Sequence, residues 1–281
     1  EGEYLNGKGK EYYNNDKLRP EEEYLNEERN EKGKEYYDND KLEFEIKSGN
    51  LKEYNYNDKL KFEGEYLNGK RNGKGKEYIN GKLRFEGEYL NGKRNGIGKE
   101  YFENGKLKFE GEYLDGKRNG KGKRYINDKI KFEGEYLDGK RNGKGKVFIN
   151  NKLKFKGEYL NGKRNGKGKE YFENGNIKYE GEYFNGKRNR KVKEYYYNGE
   201  LKFEGEYLNG KKWNGRGYNI NGNIEFEIKN GIGKVKEYDY NGKLKFEGEY
   251  FNGKRNGKGK EYYNNYKIKF EGEYLNGKRK G

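Results

Sequence analysis

The stretch Lys61-Phe62-Glu63-Gly64-Glu65-Tyr66-Leu67-Asn68-Gly69-Lys70-Arg71-Asn72-Gly73-Lys74-Gly75-Lys76-Glu77-Tyr78-Ile79-Asn80-Gly81-Lys82-Leu83 is one complete copy of a repeated unit. Phe62, Gly64 and Tyr66 alternate with Glu63, Glu65 and Leu67, a period of two that predicts a half-exposed strand. Asn68 to Gly73 carries two Asn-Gly dipeptides, the strongest short-range hairpin signal. A second strand is expected over Lys74 to Ile79, after which Asn80-Gly81 turns the chain into the next copy. No helical spacing competes, and a Gly every few residues weakens any helix.

The block Phe-Glu-Gly-Glu-Tyr recurs around Gly64, Gly87, Gly111, Gly134, Gly205, Gly248 and Gly272, with Tyr179 replacing Phe at Gly181 and Lys156 replacing Glu at Gly157. From Gly64 to Gly205 the steps are 23 or 24 residues. Gly2, Glu22, Ile46 and Ile228 occupy the same slot in worn copies, giving about thirteen units with the last truncated. Residues 1–281 therefore read as one repeat array, degenerate near 1–60 and 205–247. The longer copies carry their extra residue in the turn between units, as in Tyr101-Phe102-Glu103-Asn104-Gly105, where it leaves strand register intact.

A register closing on the whole Asn-Gly-rich loop sets Tyr66 opposite Gly75 and Glu65 opposite Lys76. That register predicts a ring laid over a strand glycine on one face and a Glu/Lys lattice on the other. It also puts Glu77 on the aromatic face, where a carboxylate is out of place.

Composition sets the outer bounds. The 281 residues hold 65 Lys plus Arg against 49 Asp plus Glu, a net charge of +16, and only 28% are hydrophobic, 17% being aromatic. A chain so charged and so poor in apolar residues sits near the disordered class unless repetition lets each unit bury itself against its neighbours. With no Cys or His and a single Ser (Ser48), thiolate and imidazole metal sites, disulfides and the Ser/His and Cys/His catalytic arrangements are excluded. No catalytic residue, metal site or cofactor is expected, and the protein reads as a non-enzyme. No run approaches the ~18 apolar residues of a membrane-spanning helix. The chain starts at Glu1 rather than Met, which predicts a fragment or a processed product.

These residues resemble the MORN (membrane occupation and recognition nexus) repeat. That pattern runs aromatic-x-Gly-x-aromatic, then Asn-Gly-Lys, then Gly-x-Gly followed by aromatics. Phe85-Glu86-Gly87-Glu88-Tyr89, Asn91-Gly92-Lys93 and Gly96-Ile97-Gly98 fit it. Asn72, Asn95 and Asn119 stand where the family commonly has His, and Glu77 and Glu100 where it has an aromatic. The Gly-Lys-Leu-Lys-Phe-Glu-Gly spacing is similar to the longer variant of the repeat. The resemblance implies an all-β, elongated rod of antiparallel hairpins in one twisted, grooved, single-layer sheet. About 26 strands at ~4.8 Å would make it on the order of 120 Å long. It also implies scaffolding, tethering at membranes and self-association, with phosphoinositide binding in some members. The expected location is intracellular and cytoplasmic, at a membrane periphery or a cytoskeletal structure.

Two sets of residues stand out. Lys70, Arg71 and Lys74, then Lys93-Arg94, Lys117-Arg118, Lys140-Arg141, Lys163-Arg164, Lys187-Arg188 and Lys254-Arg255, fall at one repeat position. They would line one sheet edge at a pitch of ~10 Å, as a basic rail for anionic lipid or simply as solubilising charge. The aromatic ladder reads mainly as the core of a thin sheet, and the recurring Glu pairs as a solvated lattice. The second set is where the pattern breaks. Arg190 and Val192 replace two glycines, Ile46 and Ile228 replace the strand glycine, and Trp213 is the only Trp. Arg190, Val192, Trp213 and Ile228 are candidates for a partner or dimer contact, with plain repeat decay as the alternative. Acidic Glu21 to Glu31, after Pro20, reads as a worn or capping unit.

The functional expectation is a scaffold or tether that binds a protein partner or a second copy of itself, as in a homodimer. Peripheral binding of anionic lipid is the alternative. An accessory repeat domain of a larger enzyme comes third and nucleic acid last.

Overall fold

The computed structural model describes residues 49–280, preceded by the strand segments Asn6–Gly9, Glu22–Leu25, Glu28–Arg29, Lys32–Tyr36 and Leu42–Lys47. Gly2, Pro20 and Ser48 lie outside the described residues, and the unit at Glu21–Glu31 falls only partly within them. The chain divides into two compact units, Glu1–Lys140 and Arg141–Gly281. Among the described residues every regular element is a β-strand, and no helix is long and apolar enough to cross a membrane.

The hairpin formed by Leu60–Leu67 and Lys70–Ile79 shows how the sequence makes the fold. Leu67 pairs with Lys70 and Tyr66 with Arg71, so the turn holds only Asn68 and Gly69, at φ 48° and 69°. Two successive left-handed residues make the primed turn whose twist matches the flanking strands, which is why Asn-Gly sits there. The second Asn-Gly is therefore not in the loop. Pairing resumes at Gly64 with Gly75, so Glu65 faces Asn72, Gly73 and Lys74 across a bulge. Gly73, at φ 67°, takes the conformation an L side chain resists, and the Glu65 carboxylate accepts the Lys74 amide at 3.1 Å.

This bulge corrects the expected register. The residues opposite Gly75 and Lys76 are Gly64 and Glu63, not Tyr66 and Glu65. The ring over Gly75 is that of Phe62, so close that a Cβ there would lie 2.5 Å from Cζ. The charge lattice survives with its partner shifted, Lys76 lying 3.6 Å from Glu63. Glu77 stays on the aromatic face, opposite Phe62 and Phe85.

Repetition of this hairpin builds antiparallel meanders. In the first unit the ladder runs from Lys32–Tyr36 to Lys129–Leu137. In the second, one ladder runs from Lys140–Ile149 to Ile224–Ile228 and another from Gly233–Tyr238 to Lys278–Arg279, with the isolated bridge Lys229–Ile232 between them. None of these sheets closes into a barrel. Fully buried rings form the core: Phe62, Phe85, Phe109 and Phe132 in the first unit, Phe155, Tyr179, Phe203 and Phe246 in the second. A Tyr from the next repeat meets Phe62, Phe85, Phe109, Phe155 and Phe246 edge-on, as Tyr89 meets Phe62 at 5.2 Å and 85°. The longer copies absorb their extra residue in the turn, where the Phe102 amide donates to the Lys106 carbonyl at 2.9 Å. Glu100 still pairs with Phe109, as Glu77 pairs with Phe85.

Candidate functional site

The Lys-Arg pairs separate. In the first unit the arginines turn onto the ring face, and the guanidinium groups of Arg71, Arg94 and Arg118 each lie 4.1 Å from the centroids of Phe62, Phe85 and Phe109. Each also grips the carboxylate of the preceding repeat. Arg71 donates twice to Glu53, at 2.7 and 2.6 Å, and Arg118 twice to Glu100, at 2.9 and 2.6 Å. Arg94 holds Glu77 in the same manner. The following Tyr completes the group, Tyr89 donating to Glu77 at 2.8 Å and Tyr113 to Glu100 at 2.7 Å. A carboxylate on the aromatic face is thus matched by a cation and a phenol, which is how Glu77 stays there.

The second unit repeats the arrangement. Arg164 and Arg188 lie 4.0 and 4.1 Å over Phe155 and Tyr179, and Arg255 4.1 Å over Phe246. Arg188 bridges Glu170 and Glu194 at 2.8 and 2.6 Å. Arg255 bridges Glu237 and Glu261 at 2.8 and 2.9 Å. Arg141 lies 5.8 Å from the Tyr159 ring, much as Arg164 lies 5.6 Å from Tyr183 and Arg255 5.9 Å from Tyr274. Its own repeat has Val147 in the carboxylate slot.

The electrostatics follow from these contacts. Burial pushes the Glu100 carboxyl up, but hydrogen bonds from Arg118 and Tyr113 outweigh it and hold the group at about 2. Glu77, Glu170, Glu194 and Glu237 are likewise held below the usual carboxylate range against burial by their cations and phenols. The phenols move oppositely. Tyr89 and Tyr113 are raised by burial and by Glu77 and Glu100. On the other face Tyr78 donates to Glu63 at 2.6 Å, and burial with that carboxylate pushes its phenol up to about 12.

The lysines remain outside. Lys70, Lys74, Lys93, Lys117, Lys140, Lys163 and Lys187 are exposed, and Lys254 is half-buried. Some reach the next turn, Lys93 lying 3.5 Å from Asp115 and Lys117 3.3 Å from Asp138. Beside them runs a stripe the sequence reading passed over. Leu67, Leu90, Leu114 and Leu137, just before the turns of the first unit, are 58, 51, 52 and 51% exposed, far too open to be core. Leu160, Phe184, Leu208, Phe251 and Leu275 hold the same place in the second unit and are also exposed. The signal was present, because Leu67 alternates in step with Glu63 and Glu65.

Successive turns are hooked together within each unit. The Gly92 amide donates to the Arg71 carbonyl at 2.9 Å and Gly116 to Arg94 at 2.8 Å. In the second unit Gly186 donates to Arg164 at 2.8 Å, and the Asn185 amide to the Asn165 side chain at 3.1 Å. The Asn in the slot where the repeat commonly has His is thus a cap for the next turn.

The four partner candidates part company. Val192 and Ile228 are buried, 5 and 3% exposed, opposite Gly205 and Gly215 respectively, so their side chains fill the sheet and offer no contact surface. Trp213 is half-buried, its ring against Gly231, whose amide donates to the Trp213 carbonyl at 2.8 Å. Arg190 alone is exposed, at φ 55° in the bulge slot that Gly73 fills elsewhere, 3.6 Å from Glu182.

The MORN repeat pattern matches residues 62–82, 109–129, 132–150, 155–177, 246–267 and 270–281. The MORN repeat variant matches 5–26, 94–115, 191–209 and 232–252. A search of curated proteins finds no match. Since these segments cover more than half of the sequence, the chain belongs to the MORN repeat family.

Proposed function

We propose that the protein is a non-enzymatic repeat scaffold that docks a protein partner, or a second copy of itself, along the hairpin-turn edge of its sheets. The observation that carries this reading is the exposed stripe of Leu67, Leu90, Leu114 and Leu137. The Arg, Glu and Tyr groups of the ring face are engaged with one another, whereas each repeat spends nothing inside on this Leu and its neighbouring Lys. Identical apolar sites in series suit multivalent docking, where several weak contacts add through effective concentration. Replacing Leu90, Leu114 and Leu137 together by Asp should abolish concentration-dependent association in sedimentation experiments, or cross-links from that edge to a partner in cells. Association and cross-links unchanged by the triple substitution would refute the reading.

A second reading is favoured by the exposed lysines beside the stripe, a pairing that suits an anionic lipid surface at roughly 1 kcal/mol per cation. Flotation with anionic vesicles should then fall steeply with salt and vanish when Lys70, Lys93 and Lys117 become Glu. Vesicles that fail to retain the protein at about 0.15 M salt would dismiss it.

A further inference from the structure

The repeat departs furthest from its pattern between Lys211 and Tyr238, and a cavity of about 260 Å³ opens there. In the flanking repeats each arginine lies between two carboxylates, Arg188 between Glu170 and Glu194 and Arg255 between Glu237 and Glu261. Lys212 takes the arginine place in the intervening repeat, and Gly217 stands where that repeat would supply its own Glu. The reason for Gly217 is steric, because the Phe226 ring occupies the space a side chain would need. One cation therefore lacks its usual second partner.

The charges around the cavity do not balance. Lys202, Lys211, Lys212 and Lys236 line it against the carboxylates of Glu194 and Glu237. Glu194 already takes Arg188 at 2.6 Å, and Glu237 takes two bonds from Arg255 at 2.8 Å. Lys236 is matched by Glu225 at 2.6 Å. Lys212 reaches Glu194 only at 3.4 Å and spends the rest of its field on the Phe203 ring, 4.4 Å away. Lys202 donates to a neutral partner, the Tyr238 carbonyl, at 2.6 Å. Consistent with this crowding, burial and the charge of Lys212 bring the Lys202 ammonium down to about 8, against the pull of Glu194, Asp239 and Glu237.

We propose that this cavity binds a compact multivalent anion of the phosphate class, held by Lys202, Lys211 and Lys212. Ammonium groups on flexible stems are point charges that converge on phosphate oxygens, and the cavity has room for a phosphate or a small phosphate ester but not for a polymer. The site does not depend on the hairpin-edge reading above, whose stripe it does not include.

The test is calorimetric titration of the full chain with inorganic phosphate and with pyrophosphate, in chloride buffer. Saturable one-site binding is expected, weakened about tenfold by Lys212→Gln and by Lys202→Gln and unchanged by Lys152→Gln, an exposed lysine away from both the cavity and the hairpin edge. Absence of saturable binding, or equal loss in the Lys152→Gln control, overturns the proposal. Should the cavity variants fail to fold, the wild-type chain with labelled lysine serves instead. Phosphate must raise the titration midpoint of the Lys202 amine in NMR, and an unmoved midpoint rejects the site. Anionic vesicles distinguish the source. Flotation that phosphate competes away and Lys212→Gln removes assigns a lipid headgroup, whereas phosphate binding without such flotation assigns a free anion.

Discussion

In the regular hairpin Leu60–Leu67/Lys70–Ile79, the Phe62 ring lies over paired glycines, Gly64 and Gly75, with Arg71 stacked above it. Around Lys187–Tyr195 and Lys211–Tyr218, in the second unit, the sheet is filled another way. Val192 faces Gly181 and Gly205, Ile228 faces Gly215, and Lys212 lies over Phe203 where other repeats have Arg. Both solutions exclude water, but they differ in what they leave over. In the regular hairpin the two glycines under the ring leave no room, and Arg, Glu and Tyr match one another. In the irregular segment an aliphatic side chain replaces one glycine of a pair, and close by lysine replaces arginine and a cavity opens. The regular repeat is a closed set of contacts, and a substitution at one of its positions is felt at the others.

The largest contrast should come from putting a branched side chain under a ring. Gly75→Val would drive Cβ to 2.5 Å from Phe62 Cζ and should cost roughly 3 kcal/mol, read from the urea midpoint. Val192→Gly, which moves the irregular repeat toward the regular composition, should cost less, about 1–2 kcal/mol. Equal losses at the two sites would show that the ring does not decide the glycine.

Next in size is the carboxylate layer. Glu100→Gln removes the acceptor of two Arg118 bonds and the Tyr113 bond and should cost roughly 2 kcal/mol at neutral pH. The pH dependence has a definite sign. Glu100 is held at about 2 in the fold against 4.5 ordinarily, so its contribution is complete above about 4.5 and is lost as pH falls toward 2. Acid titration followed by tyrosine fluorescence should show that loss, and Glu100→Gln should reduce it. A variant that keeps the full acid slope would assign the slope to other groups.

A smaller effect has the opposite sign. Arg190 sits at φ 55°, so Arg190→Gly, which restores the regular bulge, should stabilise by about 1 kcal/mol despite losing the exposed pair with Glu182. Stability lowered by that change would mean the arginine contributes more than its conformation costs. Smallest is the turn cap. Asn165→Ala removes the bond to the Asn185 amide and should cost about 0.5–1 kcal/mol, seen most directly as faster hydrogen exchange at Asn185.

How much of this was legible depends on distance along the chain. Strands, turns and the harmless extra residue at Phe102–Lys106 were readable because alternation and Asn-Gly act within a few residues. The register was not, because two Asn-Gly dipeptides competed for one turn. What decides between them is the Glu65 carboxylate reaching back to the Lys74 amide. Nor was the destination of Arg71 legible, since its carboxylate, Glu53, lies 18 residues away in another repeat. Glu77 was recognisable as out of place on a ring face, but the cation and phenol that keep it there are visible only in the assembled sheet.

By itself the sequence determined the repeat, its all-β character and the pairing of rings with glycines. These follow from local conformational preference and from a period that every copy restates. The tertiary structure decided which ring covers which glycine, that arginine turns inward while lysine stays out, and that Val192 and Ile228 fill the sheet. Those outcomes rest on contacts between neighbouring strands and repeats. There a two-residue bulge resets the partners, and a buried carboxylate selects the cation that can give it two bonds.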